Sequence, residues 1–270
     1  MGSNFQLVLH NIVSIISTVM ALGMAIFLFI NGKEKTANRA LSLTMLCVAI
    51  FTISHVIGVN ISDPKLSMYI LTLNLSMFLI GATNVHAISA LVGENIKKRG
   101  FIIFFYLSSF AFIASFLIFP DLFLLPSTPK MYFPNYYVPG AFNWVRIVFM
   151  DIICLVYMIY ILAKAYGRSD SKVDKNHFVY SIFVILVGYF VGFIPNFLVY
   201  NIQIDPLWGM SFAILFSIPL ANAAIRYELF DVRIIAKQAL FYATGITSIG
   251  GIIILLNYLN TWIVHFFPNY

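Results

Sequence analysis

Nearly all the basic residues of this chain fall between alternate apolar runs, and that placement constrains the fold more than any motif does. A membrane-crossing helix needs roughly 20 mainly apolar residues. Such runs lie near 5–30, 40–60, 66–92, 101–119, 142–166, 177–201, 207–225 and 238–264. The breaks between them are polar or proline-bearing, among them NGKEKTANR, SDPK, GENIKKRG, QIDP and RYELFDVR. Lys33, Lys35 and Arg39 separate the first two runs, and Lys97, Lys98 and Arg99 separate the third and fourth. Lys164, Arg168, Lys172 and Lys175 border the connection between the fifth and sixth, and Arg226, Arg233 and Lys237 that between the seventh and eighth. Of the 16 basic residues, only Lys65 and Lys130 occupy the alternate loops, and Arg146 falls inside the fifth run. Short cytoplasmic loops carry an excess of Lys and Arg. The pattern therefore predicts eight spans in the plasma membrane, with the N-terminus extracellular.

Composition supports the same class. Charged residues make up 10% of the 270 and hydrophobic residues 61%, and mean hydropathy is +0.93. A soluble domain carries about 25% charged residues, so the expected solvent is largely lipid. The predicted fold class is all-α: a polytopic membrane helix bundle with a seven-span, N-out core (1–225), a cytoplasmic connector (226–237) and an eighth span (238–264). The net charge of +6 is accounted for by the basic loops, so the bilayer is the expected partner and nucleic acid is not. Cys47 and Cys154 both lie in apolar runs, which argues against an extracellular disulfide framework. The start, MGSNFQLV, has no positive region and the run after it is long enough to span, so no cleavable signal peptide is expected.

The connection 120–141 holds five prolines together with Tyr132, Phe133, Tyr136 and Tyr137. Proline prevents a regular helix there. Two readings stand: an aromatic belt at the headgroups, or a lid over an outward-facing pocket.

Charges inside spans are costly, about 2.5–3.5 kcal/mol at a helix centre. On a regular helix Asn143, Arg146, Asp151 and Cys154 share one broad arc of the fifth span. Arg146 is near enough to the outer end to snorkel, whereas Asp151 lies roughly 13 Å below it. Ser54 and His55, Asn74, and Asn196 (next to Pro195) sit at comparable depth on other spans. His55, Asn74, Arg146, Asp151 and Asn196 are the expected lining of a cavity for an unknown small ligand or peptide. The alternative is that each makes an ordinary interhelical hydrogen bond. Asn84, His86, Asn222 and Pro219 form a second group suited to packing or switching. His10, His177 and His265 lie near span ends, where no special role is expected. No metal-ligand spacing occurs, nor any catalytic or nucleotide-binding signature, so no catalytic residue, metal or cofactor is expected. A retinal lysine is missing from the seventh span. Gly188 and Gly192, and Ala239, Ala243, Thr247 and Gly251, recur every four residues, which lets helices approach closely within the monomer or in a homodimer.

From Leu207 the chain reads LWGMSFAILFSIPLANAAIRYELFDVRIIAKQALFYATGI. This resembles the end of the membrane-embedded N-terminal sensor region of bacterial histidine kinases, competence-type peptide sensors included. Ile225, Arg226 and Tyr227 match the triplet closing that family's seventh span, and Leu229, Phe230 and Asp231 its Leu-Phe-Asp. NRALSLTMLCVAIFTISH, 38–55, is similar to the family's second span. The resemblance implies signal perception coupled to a cytoplasmic output module or kinase partner, with Pro219, Asn222, Arg226, Phe230 and Asp231 as the expected coupling residues. The chain carries neither a phosphoacceptor-histidine helix nor an ATP-binding domain, so it is not expected to be an enzyme by itself. It is either a piece of a longer protein or a sensor acting through a partner. The competing class is a small transporter or channel subunit, which calls for inverted repeats and discontinuous helices.

The orientation is open to direct measurement. A cysteine placed beside Lys98 should resist impermeant thiol reagents on intact cells, and one beside Lys130 should react; swapped labelling would overturn the predicted topology.

Overall fold

Helix lengths follow from the apolar runs, and their ends follow from local chemistry. The computed structural model describes residues 2–31 and 36–210, which fall within the compact unit Met1–Leu220. Helix α1 covers Gly2–Asn31 and α2 Thr36–Asn60. Asp63 then caps the third span, its carboxylate accepting from Leu66 N at 2.6 Å, with Pro64 in the first turn. Proline suits that position because its missing N–H would have no helical partner. The third span is built from α3 (Pro64–Leu71), a 3₁₀ segment (Thr72–Ser76) and α4 (Met77–Leu91). The fourth is α5, Arg99–Ile118. The fifth joins α7 (Asn143–Ile147), a π-helical turn (Val148–Ile153) and α8 (Cys154–Arg168). The sixth, α9 (Lys172–Val199), is capped by Ser171 and contains Pro195. Among the described residues six helical stretches are long and apolar enough to cross a membrane, and they coincide with the first six runs to within a few residues. Of the seventh run only α10, Leu207–Met210, is described. The eighth span, the connector 226–237 and the coupling residues Pro219, Asn222, Arg226, Phe230 and Asp231 lie outside the described residues.

The all-α expectation fails in the connection 120–141. After a short helix α6 (Pro120–Phe123), strands β1 (Leu124–Lys130) and β2 (Phe133–Pro139) pair antiparallel. The register matches Leu124 with Pro139, Thr128 with Tyr136 and Lys130 with Phe133, slipping between 125 and 128 and between 128 and 130. Those slips fall at Pro126 and Pro129, which have no N–H to give a ladder. A two-stranded ribbon has only edge strands, so it tolerates the prolines that exclude a helix. Met131 takes a positive φ of 49° at the turn.

Burial is inverted relative to a soluble protein. Large apolar side chains such as Val19, Phe29, Leu107, Phe110 and Phe190 are exposed, while Ser14, Ser17, Thr44, Thr52, Thr83 and Ser109 are buried. Helix α2 is the most enclosed span, packed by α1, α3 and α4, and α5 is the least enclosed. Polar pairs stitch the inner spans together: Thr18 to Thr52 at 2.7 Å, Ser42 Oγ to Ala25 O at 2.6 Å, and Thr44 Oγ1 to Thr83 Oγ1 at 2.7 Å. Such bonds average about 0.6 kcal/mol each in a membrane, so they align the helices more than they hold them. Arg39, Lys97–Arg99 and the basic residues from Lys164 to Lys175 gather at the end opposite the hairpin, where Arg168 pairs with Glu94 at 2.7 Å.

Two glycines mark close approaches between spans. A Cβ on Gly58 would fall 2.4 Å from Leu71 Cδ2, and one on Gly209 would fall 2.3 Å from the ring of Pro195. Gly209 thus seats α10 against Pro195 of α9. Gly209→Ala should cost about 1–3 kcal/mol by overpacking, while Gly23→Ala, with no atom near the added carbon, should be neutral or mildly stabilising. Thermal unfolding of both variants in detergent checks the contrast.

Candidate functional site

The irregular stretches of three spans meet under the hairpin. The 3₁₀ segment brings Asn74 inward, α7 brings Asn143 and Arg146, and α9 brings Pro195 and Asn196. Together with Tyr136 and Tyr137 of β2 and Leu124 of β1, they enclose a cavity of about 50 Å³. Its remaining wall is mostly apolar, including Leu71, Phe78, Phe116 and Val199.

Arg146 supplies the charge. Its Nη2 donates to Asn196 Oδ1 at 2.5 Å, its Nε to Asn143 Oδ1 at 3.4 Å, and its Nη1 lies 4.0 Å from Met77 Sδ. Its hydrogen-bond partners among the described residues are all neutral, and the Asp151 carboxylate acts on it through space without direct contact. Of the two readings of Arg146, a snorkelling residue or part of a cavity lining, the structure has the second: it lines the cavity and bridges the fifth and sixth spans.

A hydrogen-bonded chain leads away from this cavity. Ser54 Oγ donates to Asn74 Oδ1, and Asn74 Nδ2 donates to the Tyr137 hydroxyl. The Tyr137 oxygen lies 3.0 Å from His55 Nδ1, and His55 Nε2 lies 3.0 Å from His10 Nε2. Two proton arrangements satisfy these links: Tyr137 donates to His55 Nδ1 and His55 Nε2 donates to His10, or His10 Nε2 donates to His55 and His55 Nδ1 donates to Tyr137. In both, His10 Nδ1 is buried without a partner. The rings of His55 and Tyr137 stack at 5.6 Å, and Phe133 sits edge-on to His10 at 4.8 Å.

The hairpin therefore fills the mouth of the bundle, contrary to the belt reading. Phe133 and Tyr136 are fully enclosed, and Tyr132 and Tyr137 nearly so. Tyr136 donates to Pro195 O at 3.2 Å, Lys130 Nζ to Leu198 O and Val199 O at 3.1 and 2.7 Å, and Tyr132 to Asp205 Oδ1 at 2.5 Å. Burial raises the Tyr132 hydroxyl above the usual tyrosine range, reinforced by the bond to Asp205. Burial likewise raises Tyr136 and Tyr137 and lowers Lys130.

Of the five residues expected at a cavity, Asn74, Arg146 and Asn196 line it, and His55 stands behind Tyr137. Asp151 is not on the wall. It lies in the π turn, half-buried, with one carboxylate oxygen enclosed and unpartnered. His86, from the second polar group, approaches the Tyr106 hydroxyl at 3.3 Å. The expectation that His10 has no special role is corrected too. Its partner His55 sits at the matching depth of an antiparallel neighbour, a signal present in the sequence. Tyr137 carried no comparable signal. No cluster of His, Cys, Asp or Glu suited to a metal occurs among the described residues. No protein family, curated protein or solved structure matches the chain.

Tyr137→Phe should strand both His55 and Asn74 and cost about 1–3 kcal/mol. Tyr136→Phe removes only a second bond to a carbonyl and should cost about 0.6 kcal/mol. Unfolding measurements on the two variants test the ranking, and equal losses would refute the bridging role.

Proposed function

We propose that this chain is a membrane-embedded input domain that senses a signal at its hairpin end and passes it to a separate output module. The resemblance to the N-terminal sensor region of bacterial histidine kinases points the same way. In this reading the hairpin end is extracellular, the basic loops are cytoplasmic, and the domain has no catalysis of its own.

The observation that carries the proposal is the grip of the hairpin tip on the entry to the seventh run. Lys130 holds the last carbonyls of α9, and Tyr132 holds Asp205, whose carboxylate also accepts from Leu207 N at 2.9 Å. Three residues on, Met210 O accepts from Ser17 of α1 at 2.5 Å. A ligand that shifts the hairpin thus acts on the start of the run leading to Pro219, Asn222 and the connector, where Arg226, Phe230 and Asp231 are the proposed coupling residues. A two-state element biased by differential ligand binding is what signalling requires. The transporter alternative draws on the 3₁₀, π and proline interruptions, but transporter sites lie near the midplane. Arg146 is only three residues into its span, which favours an end-on sensory pocket.

Coupling is measured on the full chain in native membranes, without Cys47 and Cys154 and with a single cysteine at Phe230. Releasing the tip by Lys130→Met with Tyr132→Phe should change the thiol-labelling rate at Phe230→Cys at least about fivefold, the factor that ~1 kcal/mol imposes on a two-state equilibrium. An unchanged rate, with labelling at Met131→Cys showing that the tip has come free, would reduce the junction to a structural clamp.

A further inference from the structure

We infer that the cavity under the hairpin is a binding site for the carboxylate group of a short aliphatic monoacid, with Arg146 as its counter-ion. The inference deepens the sensory proposal by naming the ligand class, and it stands on four observations about the cavity alone.

First, Arg146 is a permanent cation facing a mostly apolar space, with two asparagine oxygens and a thioether as its contacts. A guanidinium presents five donors in a planar fork, and these contacts leave donors unused on the cavity side. Second, Asn196 spends its oxygen on Arg146, which fixes the amide orientation and leaves Nδ2 as a further donor at the same wall. On the cavity wall the donors therefore outnumber the acceptors, an arrangement complementary to an anion; the Asp151 carboxylate acts on the guanidinium from off that wall and makes no hydrogen bond to it. A carboxylate matches the fork through two parallel bonds.

Third, the opposite wall is hydrocarbon: Leu71, Phe78, Phe116, Leu124 and Val199. A fully hydrated inorganic anion gains nothing there, whereas a short alkyl chain is desolvated favourably. Fourth, size limits the chain. About 50 Å³ holds roughly three to five water-sized groups, enough for a carboxylate and one or two further carbons. A longer acid presses on a lining that includes Leu124 and Tyr136 of the hairpin. Occupancy by acids that fit and strain by acids that do not are thus read by the same element.

The test uses the purified full chain in detergent, with sodium propanoate as the probe. Propanoate should raise the thermal midpoint saturably, since a ligand of the native state alone stabilises in proportion to occupancy. Propanamide, of the same shape but uncharged, should not. Arg146→Gln should weaken propanoate binding at least about tenfold, the loss that removing a charge-assisted pair predicts. Because that variant removes the charged bridge between the fifth and sixth spans, Asn196→Asp provides an independent arm. It places a carboxylate 2.5 Å from the guanidinium, keeps the bridge as an ion pair, and should abolish propanoate binding in a folded protein. Equal shifts with propanamide, wild-type binding by Asn196→Asp, or no saturable shift with propanoate each overturn the inference. Stronger binding of inorganic phosphate would also overturn it, assigning the site to phosphate or a lipid headgroup. Failure of binding leaves the labelling experiment at Phe230 untouched, and failure of that labelling leaves binding untouched, so the two claims fall separately.

Discussion

A polar group inside hydrocarbon must find its partner in the protein, because no water is there to serve it. Several hydroxyls of the first three spans meet this locally: Thr18, Thr44, Thr52, Ser54 and Thr83 bond back to carbonyls of their own helices. The long polar side chains at the hairpin end have no such recourse. His55 Nδ1 and Asn74 Nδ2 find no partner among the described helices. The hairpin brings the missing partner in the Tyr137 hydroxyl, which sits between His55 and Asn74. The mouth of the bundle is closed by this single bridging oxygen and by the aromatic rings around it.

Dependence of this kind explains why the ribbon persists without a third strand. A two-stranded hairpin is marginal in water, and this one carries four prolines in its strands. Its stability comes from the rings of Phe133, Tyr136 and Tyr137, which are buried among helices, and from side-chain bonds at its tip. Asn135 adds an anchor by donating to Ile61 O and Ser62 O at 2.7 and 3.0 Å, and Ser127 meets Ser67 at 3.1 Å. The hairpin is fastened to the bundle at many points, and its own ladder contributes least.

The spans were legible in the sequence because their signal is one of length and apolarity, which a bilayer imposes on every helix alike. Depth was legible as well, and it brought Asn74, Arg146 and Asn196 to one cavity. The hairpin was not legible. Prolines signal an interruption without saying what replaces the helix, and the slipped register erases the strict alternation by which a strand is recognised. Lys130 counted only as a loop charge, although it caps the end of α9. Tyr132 and Tyr137 have the composition of interfacial belt residues, and nothing local shows that they turn inward.

Asp151 shows where periodicity stops informing. At 100° per residue, Asn143, Arg146 and Asp151 lie on one broad arc, which places all three toward the same cavity. A π turn holds one extra residue, so whatever follows it is rotated by about 100° from the regular position. The turn begins at Val148, two residues after Arg146, and divides the polar arc into two faces. Asn143 and Arg146, before it, keep the cavity. Asp151, within it, is carried off the wall, and Cys154, at its end, is fully buried. The Asp151 carboxylate still acts on the guanidinium through space, but among the described residues no carboxylate stands in hydrogen-bond contact with it. Residues five apart on a regular helix stand about 140° from each other, so the two charges had no direct pairing to lose, and Arg146 keeps donors for an anion from outside.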